Sequence, residues 1–374
     1  MIDTARRNLT VAALALALLV AAPAAAAAQR TFVSAAGNDA SACSLGAPCR
    51  SFLAALSHTN SDGEIVVLDS GGYGSVTITQ GVTIMAPEGI YAGISVFAGN
   101  SGVTINAPGA VVVLRGLTIN GQGGTNGIYF IQGAELRVAR CNISAMTDSG
   151  IVAQLGGGSI LHVTDTVSSR NANAGIRASG AGRISLANVH IASNGGFGFL
   201  VQDGPDVAMR DAVIEQNNWG IGAFANTADT LLDLRNSRIF SNNKHGIWAQ
   251  TTGAGTNFVS LNVTDSEIAR NNQSASTPSA GIFAQANLAT SIRVTIVRTQ
   301  LTYNRGAGAY VELKFPSVGA EAIGYVTQSL VHGNTGYGLT TVGLATIYTT
   351  GDSTIEDNAG GDLNGNILAY PGPS

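Results

Sequence analysis

The chain has 374 residues, of which 48 are glycine, 45% are hydrophobic and 11% are charged. The apolar fraction is enough for a long buried core, but the formal net charge is −4 and the only lysines are Lys244 and Lys314. Nucleic-acid binding depends on neutralising many phosphates with Lys and Arg, so this composition excludes a basic groove and we expect no nucleic-acid partner.

Residues 1–28 have the composition of an export signal. Arg6 and Arg7 precede an apolar run from Leu9 to Val20, and an alanine-rich segment ends at Ala28. This order of basic, apolar and small residues predicts a signal peptide cut after Ala28. The alternative is a transmembrane anchor, which needs about 20 strongly apolar residues. We therefore expect an exported protein, periplasmic or extracellular, with no stable membrane anchor after cleavage.

Residues 29–62 are predicted to form an N-terminal cap. Export favours a disulfide between Cys43 and Cys49, whereas metal binding by two cysteines without nearby histidines is the alternative. The remaining cysteine, Cys141, is expected to be a buried small apolar residue.

Helical spacing from Ser51 to His58 predicts a short helix that covers the open end of a stack of strands. Its apolar side is formed by Phe52, Ala55 and Leu56.

A motif of Asn, a short gap, Gly and an apolar residue recurs from about residue 120 to about 340, as in Asn242…Gly246-Ile247. The repeated glycines are 22 to 26 residues apart, at Gly127, Gly150, Gly175, Gly198, Gly220 and Gly246. This period predicts stacked supersecondary units, and the period-2 alternation around it predicts that the units are strands. Residues 63–374 then form one solenoid of about a dozen coils. Irregular insertions are expected near Gln273–Ala280 and Lys314–Ala320.

Several segments are similar to those of one known family. They are Phe32-Val33-Ser34…Gly37-Asn38-Asp39…Cys43…Pro48-Cys49-Arg50-Ser51-Phe52, Gly63-Glu64-Ile65, Gly71-Gly72-Tyr73-Gly74 and Val113-Leu114-Arg115-Gly116-Leu117-Thr118-Ile119. On these residues the chain resembles exported bacterial right-handed parallel β-helix proteins of the pectin-lyase-like superfamily. The resemblance implies an all-β fold, a single-stranded right-handed parallel β-helix with a short N-terminal capping helix. It does not select a function, because the superfamily includes polysaccharide lyases, glycoside hydrolases, epimerases, esterases and adhesins.

The repeated asparagines are predicted to be structural. Residues in register from coil to coil lie about 4.8 Å apart, so like side chains form ladders. An Asn in each tight turn tolerates left-handed backbone angles and can bond the neighbouring coil. The members of this predicted ladder are Asn171, Asn194, Asn217, Asn242, Asn271, Asn304 and Asn334.

The strand after each repeated Gly is predicted to carry the ligand site. Its alternation directs one set of side chains outward, and aromatic and amide groups predominate there. The set is Tyr129, Gln154, Arg177, Leu200, Gln202, Phe224, Trp248, Gln250, Phe283, Gln285, Tyr310 and Glu312, joined by Phe197, Trp219 and His245 just before three glycines. Aromatic faces stack on sugar rings and polar groups satisfy hydroxyls, so this stripe predicts polysaccharide binding. The predicted binding residues are Trp248, Trp219, Arg177, Tyr310, Phe283 and Gln250. The alternative is that a loop, a tail or another subunit covers the stripe.

The same stripe is poor in catalytic groups. Ca²⁺ takes six to eight oxygen ligands and glycoside hydrolysis needs two carboxylates about 5 to 10 Å apart, whereas the stripe offers Glu312, with Asp203 at its margin. If the protein is a polysaccharide lyase, hydrolase or epimerase, the candidate catalytic residues are His245, Lys244 and Glu312. No metal site or cofactor is predicted, and no carboxylate cluster on the stripe supports Ca²⁺.

A second polar series occupies a repeating corner. Its members are Asp165, Asn188, Asp211, Asn236 and Asp265, a composition typical of turns that bond their own backbone. The alternative is an acid/base cluster, which would contain Asp211, Asp233, Arg210, Arg235 and His162, and a perturbed carboxylate pKa would support it.

Two functions from different classes remain. The first is an exported β-helix protein that binds a polysaccharide along the outward stripe, with or without cleaving or modifying it. The alternative is a noncatalytic cell-envelope or surface solenoid, adhesin-like or structural, that uses the stripe for protein contact. The sequence leaves the oligomeric state open.

Overall fold

The structure is a computed structural model that describes residues 27–252, 255–274, 279–315 and 319–370. Nearly all of the predicted signal peptide at 1–28 lies outside the described residues. Within them there is one α-helix, Phe52–Ser57, and no helix is both long and apolar enough to cross a membrane. All other regular elements are strands, as the period-2 alternation predicts.

Each coil runs through three parallel sheets, numbered 1, 2 and 3 in the order in which the chain visits them. Sheet 1 has 14 strands, and sheets 2 and 3 have 12 each in the described residues. The strands of sheet 1 are Ala28–Val33, Thr59–Val67, Val82–Met85, Val111–Arg115, Glu135–Ala139, Ser159–Thr164, Gly182–Ala187, Asp206–Arg210, Thr230–Arg235, Phe258–Thr264, Ser291–Val297, Glu321–Thr327, Thr346–Thr349 and Ile367–Ala369.

In sheets 2 and 3, as in sheet 1, successive coils of the chain add neighbouring strands along the solenoid axis. The strands of sheet 2 are Gly71–Gly72, Ala92–Phe97, Leu117–Gln122, Asn142–Ser144, Val167–Ser169, His190–Ala192, Val213–Glu215, Arg238–Phe240, Glu267–Ala269, Gln300–Thr302, Leu330–His332 and Thr354–Glu356. The strands of sheet 3 are Val76–Ile78, Ser101–Asn106, Asn126–Gln132, Ile151–Gln154, Ile176–Ser179, Phe197–Gln202, Trp219–Ala225, Ile247–Thr251, Ala280–Asn287, Ala307–Lys314, Tyr337–Gly343 and Gly361–Asn364. The predicted parallel β-helix of about a dozen coils is confirmed.

The core is one continuous apolar column inside the coils. In the strand Ile247–Thr251, Ile247 and Ala249 are fully buried, whereas Trp248 and Gln250 between them are only partly covered. The same alternation recurs on neighbouring strands, because successive side chains point to opposite faces of a sheet. One connected cluster of buried residues extends from Val33 to Ile347. The sheets therefore present their outward side chains as the available surface.

The segment predicted as an N-terminal cap contains the predicted helix and the predicted disulfide. Ser51 caps the helix by accepting a hydrogen bond from the Ala54 N–H at 3.2 Å, and the predicted apolar side of the helix is buried. Cys43 and Cys49 form a disulfide with their Cα atoms 4.6 Å apart. Cys141 is a buried free thiol whose pKa burial raises to about 11, so it remains an uncharged apolar filler.

The predicted asparagine ladder is confirmed and continues to Asn358. Each side-chain Nδ2 donates to Oδ1 of the next asparagine at 2.8 to 3.1 Å, from Asn171 through to Asn358. The expectation that the Asn itself takes left-handed angles is wrong, because its side chain must point inward to join the ladder. The turn is made one residue earlier, with φ between 54° and 58° at Arg170, Ser193, Gln216, Ser241, Arg270 and Tyr303.

The ladder also explains the glycine of the motif. A Cβ added to Gly246 would lie 2.7 Å from Nδ2 of Asn271 and 2.8 Å from the carbonyl oxygen of Gly281, both in the next coil. Asn271 can therefore join the ladder only because Gly246 of the preceding coil has no side chain. The two predicted insertions fall partly outside the described residues, at 275–278 and 316–318.

Candidate functional site

The outer face of sheet 3 carries two rows of side chains in register. The first row contains Tyr129, Val152, Arg177, Leu200, Gly222, Trp248, Phe283, Tyr310 and Thr340. The second contains Gln154, Ser179, Gln202, Phe224, Gln250, Gln285, Glu312 and Val342. The predicted outward stripe is therefore two parallel rows, and its aromatic part lies across the middle coils.

A cluster of rings, here called the aromatic platform, spans five successive coils. Its members are Phe197, Trp219, Phe224, Trp248, Phe283 and Tyr310. The ring of Phe197 stacks on that of Trp219 with centroids 4.9 Å apart, and Phe283 stacks on Tyr310 at 5.2 Å. Trp248 joins the two stacks, with its ring centroid 6.2 Å from that of Trp219 and 6.5 Å from that of Phe283.

Gly222 makes the close packing of this platform possible. It occupies the first row between Leu200 and Trp248, where a Cβ would lie 2.7 Å from Cε1 of Phe197. The ring of Phe197 thus fills the place that a side chain at position 222 would take. Sequence reasoning missed this arrangement, although the run Trp219-Gly220-Ile221-Gly222 contained a signal, a glycine at an outward position.

Burial divides the platform into supporting and accessible rings. Phe197, Trp219, Phe224, Trp248 and Tyr310 are partly exposed. Phe283 is only 4% exposed and stacks between His245 and Tyr310, so it offers a ligand little surface, contrary to its predicted role as a binding residue. Leu200 and Gln285, also expected to face solvent, are buried as well, at 8% and 9% exposed.

Lys244 and His245 lie beside the platform in different surroundings. The Lys244 Nζ is 4.0 Å from the centre of the Trp219 ring, a cation–π contact that holds the indole in place. His245 is 7% exposed and stacks on Phe283 with ring centroids 4.9 Å apart. Burial lowers the pKa of His245 to about 4, with a smaller contribution from nearby Lys244. The imidazole of His245 is therefore uncharged near neutral pH and offers a ligand little exposed surface.

The second row contributes a chain of polar groups next to the rings. The Gln250 Nε2 donates to Oε1 of Gln285 at 2.6 Å, and the Gln285 Nε2 donates to Oε2 of Glu312 at 2.6 Å. These bonds run parallel to the solenoid axis and fix the orientation of the partly exposed Gln250 and Glu312 side chains. A polar edge therefore follows the aromatic platform across three coils.

The structure does not bring the predicted catalytic residues together. The strand register aligns His245 with Ala307, two coils away. Glu312 lies five residues beyond Ala307 along the same strand. These offsets correspond to about 16 Å along the strand and about 10 Å along the axis. Lys244 precedes His245 and is equally remote from Glu312. No single reacting group can contact all three side chains.

Arg177 also lies apart from the platform. It is three coils from Trp248 in the first row, which corresponds to about 14 Å. Its guanidinium Nη2 is 3.6 Å from Oδ2 of Asp148. A ligand that contacts both Arg177 and Trp248 must therefore be an extended one.

The acid/base cluster considered at the repeating corner is absent from the described residues. Asp165, Asn188, Asp211, Asn236 and Asp265 all have positive φ, which confirms the turn interpretation. Their side chains bond between coils, as when the Asn236 Nδ2 donates to Asp211 at 2.6 Å. That bond, together with Arg210, holds the pKa of Asp211 below its usual range.

The other members of the considered cluster have local partners of their own. The Arg235 Nη2 lies 2.6 Å from Oδ2 of Asp233, and His162 faces Glu135 at 3.3 Å. Asp233 and Glu135 thus each have a nearby basic partner, and the positive φ values at the corner favour turn formation as its role.

Comparisons with known proteins identify the same fold. A family profile described as "Right handed beta helix region" matches residues 101–263. The A-module of the mannuronan C-5 epimerase AlgE4 from Azotobacter vinelandii is 14% identical, with a TM-score of 0.52 over 83% of this chain and 90% of its own. The Agl-KA catalytic domain is 14% identical, with a TM-score of 0.57 over 82% of this chain and 62% of its own. No protein of curated function has a significant match. The chain thus has a right-handed parallel β-helix fold.

Proposed function

We propose that this protein binds a polysaccharide along the outer face of sheet 3, with the aromatic platform as the binding surface. The observation that carries the proposal is the set of partly exposed rings around Trp248. Lys244 contacts this set through Trp219, and Gln250 and Glu312 form a polar edge beside it. The platform extends over five coils, about 19 Å from the first to the last. This length suits several consecutive sugar units of a polymer.

The chemistry of the face fits sugars. One side of a pyranose ring presents C–H groups, which pack on aromatic faces, while its hydroxyls need both donors and acceptors. Gln250 supplies an amide with both capacities, and Glu312 supplies acceptors. The rings are already held by mutual stacking, so binding orders few side chains and loses little conformational entropy.

The placement of Trp248 favours a binding role over a purely structural one. Its indole Nε1 is buried and has no hydrogen-bond partner among the described residues. A buried unpaired donor costs about 1–3 kcal/mol, which a phenylalanine at this position would avoid. Tryptophan has the largest aromatic surface of any side chain, and contact of this surface with a ligand would offset the cost of the unpaired Nε1.

The solved relatives support a carbohydrate ligand by analogy only. AlgE4 is by its name an epimerase of mannuronan, a polysaccharide. Fold-level similarity at this identity carries over no catalytic residue. The separation of His245 from Glu312 makes binding the proposed activity, and cleavage or isomerisation is an outcome for the experiment to reveal.

We also propose that the protein is exported to the periplasm or the cell exterior. The predicted signal peptide at 1–28 and the Cys43–Cys49 disulfide support this location, because disulfides persist in oxidising compartments.

The test is a binding screen of the mature protein against neutral and acidic polysaccharides, with and without Ca²⁺, followed by analysis of bound polymers for new reducing or unsaturated ends. Trp248→Ala is expected to abolish binding while the circular dichroism spectrum and thermal transition remain cooperative. Tyr348→Ala is the matched control, because Tyr348 stacks on Tyr325 with centroids 5.5 Å apart on sheet 1, away from the platform.

The alternative function predicts a different result. If the platform is a surface for protein contact, no polymer should bind to the parent protein. Self-association or binding of a partner protein should then be lost in the Trp248→Ala variant. New chain ends in the bound polymer would show that the protein is an enzyme.

A further inference from the structure

A second polar cluster lies on the outside of sheet 2, in the last two coils and away from the platform. His332 ends the strand Leu330–His332, and the strand register places Glu356 of the next coil beside it. Asp357 follows in a left-handed turn with a φ of 57°. One ligand atom from each of the three side chains lies within 4.8 Å of the other two, and the His332 Nδ1 is 3.6 Å from Oδ2 of Asp357.

The charge balance around this cluster differs from that of the preceding coils. Several earlier carboxylates on the outside of the solenoid have arginine partners, as in Arg238–Glu267 at 2.8 Å and Arg298–Asp265 at 2.6 Å. The sequence has no Lys or Arg after Lys314, but it has five acidic residues: Glu321, Asp352, Glu356, Asp357 and Asp362.

The two carboxylates of the cluster have no arginine partner among the described residues. In the described part of the chain, the Glu356 side chain makes no hydrogen bond or ion pair, and the only basic group near Asp357 is His332. The cluster combines an imidazole with two carboxylates that no side-chain cation neutralises. A bound cation would supply the charge that an arginine supplies in earlier coils.

We propose that His332, Glu356 and Asp357 form a binding site for a divalent metal ion of the zinc type. Imidazole nitrogen and carboxylate oxygens are ligands that Zn²⁺ accepts in groups of three or four. Ca²⁺ is disfavoured because it takes six to eight oxygens and the site has an imidazole nitrogen. Three protein ligands leave a fourth tetrahedral position for a water molecule or another ligand.

The geometry requires only a small closure around the ion. Two ligands of a tetrahedral zinc ion, each at about 2.1 Å from it, lie about 3.4 Å apart. The Asp357 side chain is 78% exposed, so rotation about its side-chain bonds can bring its oxygen into this range without moving the backbone. His332 is held on one side by the ring of Tyr303, with centroids 5.5 Å apart in an edge-to-face contact.

Metal binding at this place would join two coils. His332 and Glu356 belong to adjacent coils, and Asn358, the last described member of the ladder, follows directly after Asp357. A ligand that binds the folded but not the unfolded chain stabilises the fold in proportion to its concentration and affinity. We therefore expect zinc to protect the C-terminal coils from unfolding.

The experiment uses tag-free mature protein treated with a chelator and then titrated calorimetrically with ZnCl₂. The expected result is saturable binding of one Zn²⁺, together with a higher thermal transition temperature, and no comparable effect of Ca²⁺. Asp357→Asn and His332→Gln should each weaken binding at least tenfold. Asp357→Asn changes an exposed side chain, so loss of folding cannot account for its effect.

His190→Gln provides the matched control. His190 also lies on sheet 2 and contacts a carboxylate, with its Nε2 2.8 Å from Oε1 of Glu215, but it belongs to no three-ligand cluster in the described residues. This variant should bind zinc like the parent protein. Absence of saturable zinc binding, or equal binding by Asp357→Asn and the parent, would overturn the proposal.

Discussion

The ring of Phe197 lies over the backbone of Gly222 in the next coil, in the space that a side chain at position 222 would occupy. This contact lets Phe197 stack on Trp219 and reach within 5.7 Å of the Phe224 ring centroid. A residue with no side chain thus determines how the rings of the platform meet. The relationship has a direct consequence for binding.

Gly222→Ala is expected to displace the Phe197 ring and weaken polysaccharide binding about tenfold, which is about 1.4 kcal/mol. The added Cβ meets movable ring and side-chain atoms, 2.7 Å from Phe197 and 2.9 Å from Leu200, so the fold should persist. Isothermal titration of the polymer identified in the screen measures the effect. Gly157→Ala is the control, because a Cβ there meets no atom within 4 Å. Equal affinities for the two variants would contradict the proposed role of the Phe197–Gly222 contact.

Asn242→Ala is expected to reduce the free energy of unfolding by about 2–5 kcal/mol, because it leaves several buried polar groups without partners. Oδ1 of Asn242 accepts hydrogen bonds from both N and Nδ2 of Asn217, and its own Nδ2 donates to Asn271. Urea unfolding gives the value. Asn243→Ala, at the exposed neighbouring position, should change stability by less than about 0.5 kcal/mol. A similar loss for both variants would show that the ladder contributes little.

His245 is expected to make stability depend on pH. Its pKa in the folded protein is about 4 against 6.5 in the unfolded chain, so the unfolded state binds more protons between these values. Stability is therefore fully present above pH 6.5 and falls as the pH drops towards 4, by about 3 kcal/mol at most. His245→Phe keeps the stacking on Phe283 but cannot titrate.

Urea unfolding of the parent and the His245→Phe variant at pH 7.5 and pH 4.5 separates this contribution from those of other groups. The parent should lose more stability between the two pH values than the variant does. Equal losses would mean that folding does not change the pKa of His245.

Loss of the Cys43–Cys49 disulfide is expected to destabilise the N-terminal cap by about 2 kcal/mol, the amount that closing so short a loop contributes. The double variant Cys43→Ala/Cys49→Ala should unfold at lower urea concentration than the oxidised parent. Dithiothreitol should lower the stability of the parent and leave the double variant unchanged. If the reductant has no effect on the parent, the disulfide does not stabilise the cap.

Much of the fold could be predicted because its signals are local. The Asn…Gly motif recurs with each coil, since the ladder and the close approach at Gly246 impose the same two residues every time. The helix at Phe52–Ser57 and the nearby cysteines also depend on neighbours within a few residues. Of the site, the sequence identified Trp219, Trp248 and Tyr310 as outward aromatic side chains on strands of one sheet.

Only the three-dimensional structure shows which outward side chains are neighbours across coils. Coil lengths differ, so only the strand register shows that Gly222 lies between Leu200 and Trp248, that Phe283 is covered, and that Glu312 is remote from His245. Register likewise brings His332 against Glu356, 24 residues further along the chain. The repeat in the sequence predicted a stack of coils built from strands, because each coil repeats the same inward pattern, and the family resemblance implied the right-handed parallel form. The outward surface was decided only in three dimensions, because its side chains come from different coils and no repeat constrains them.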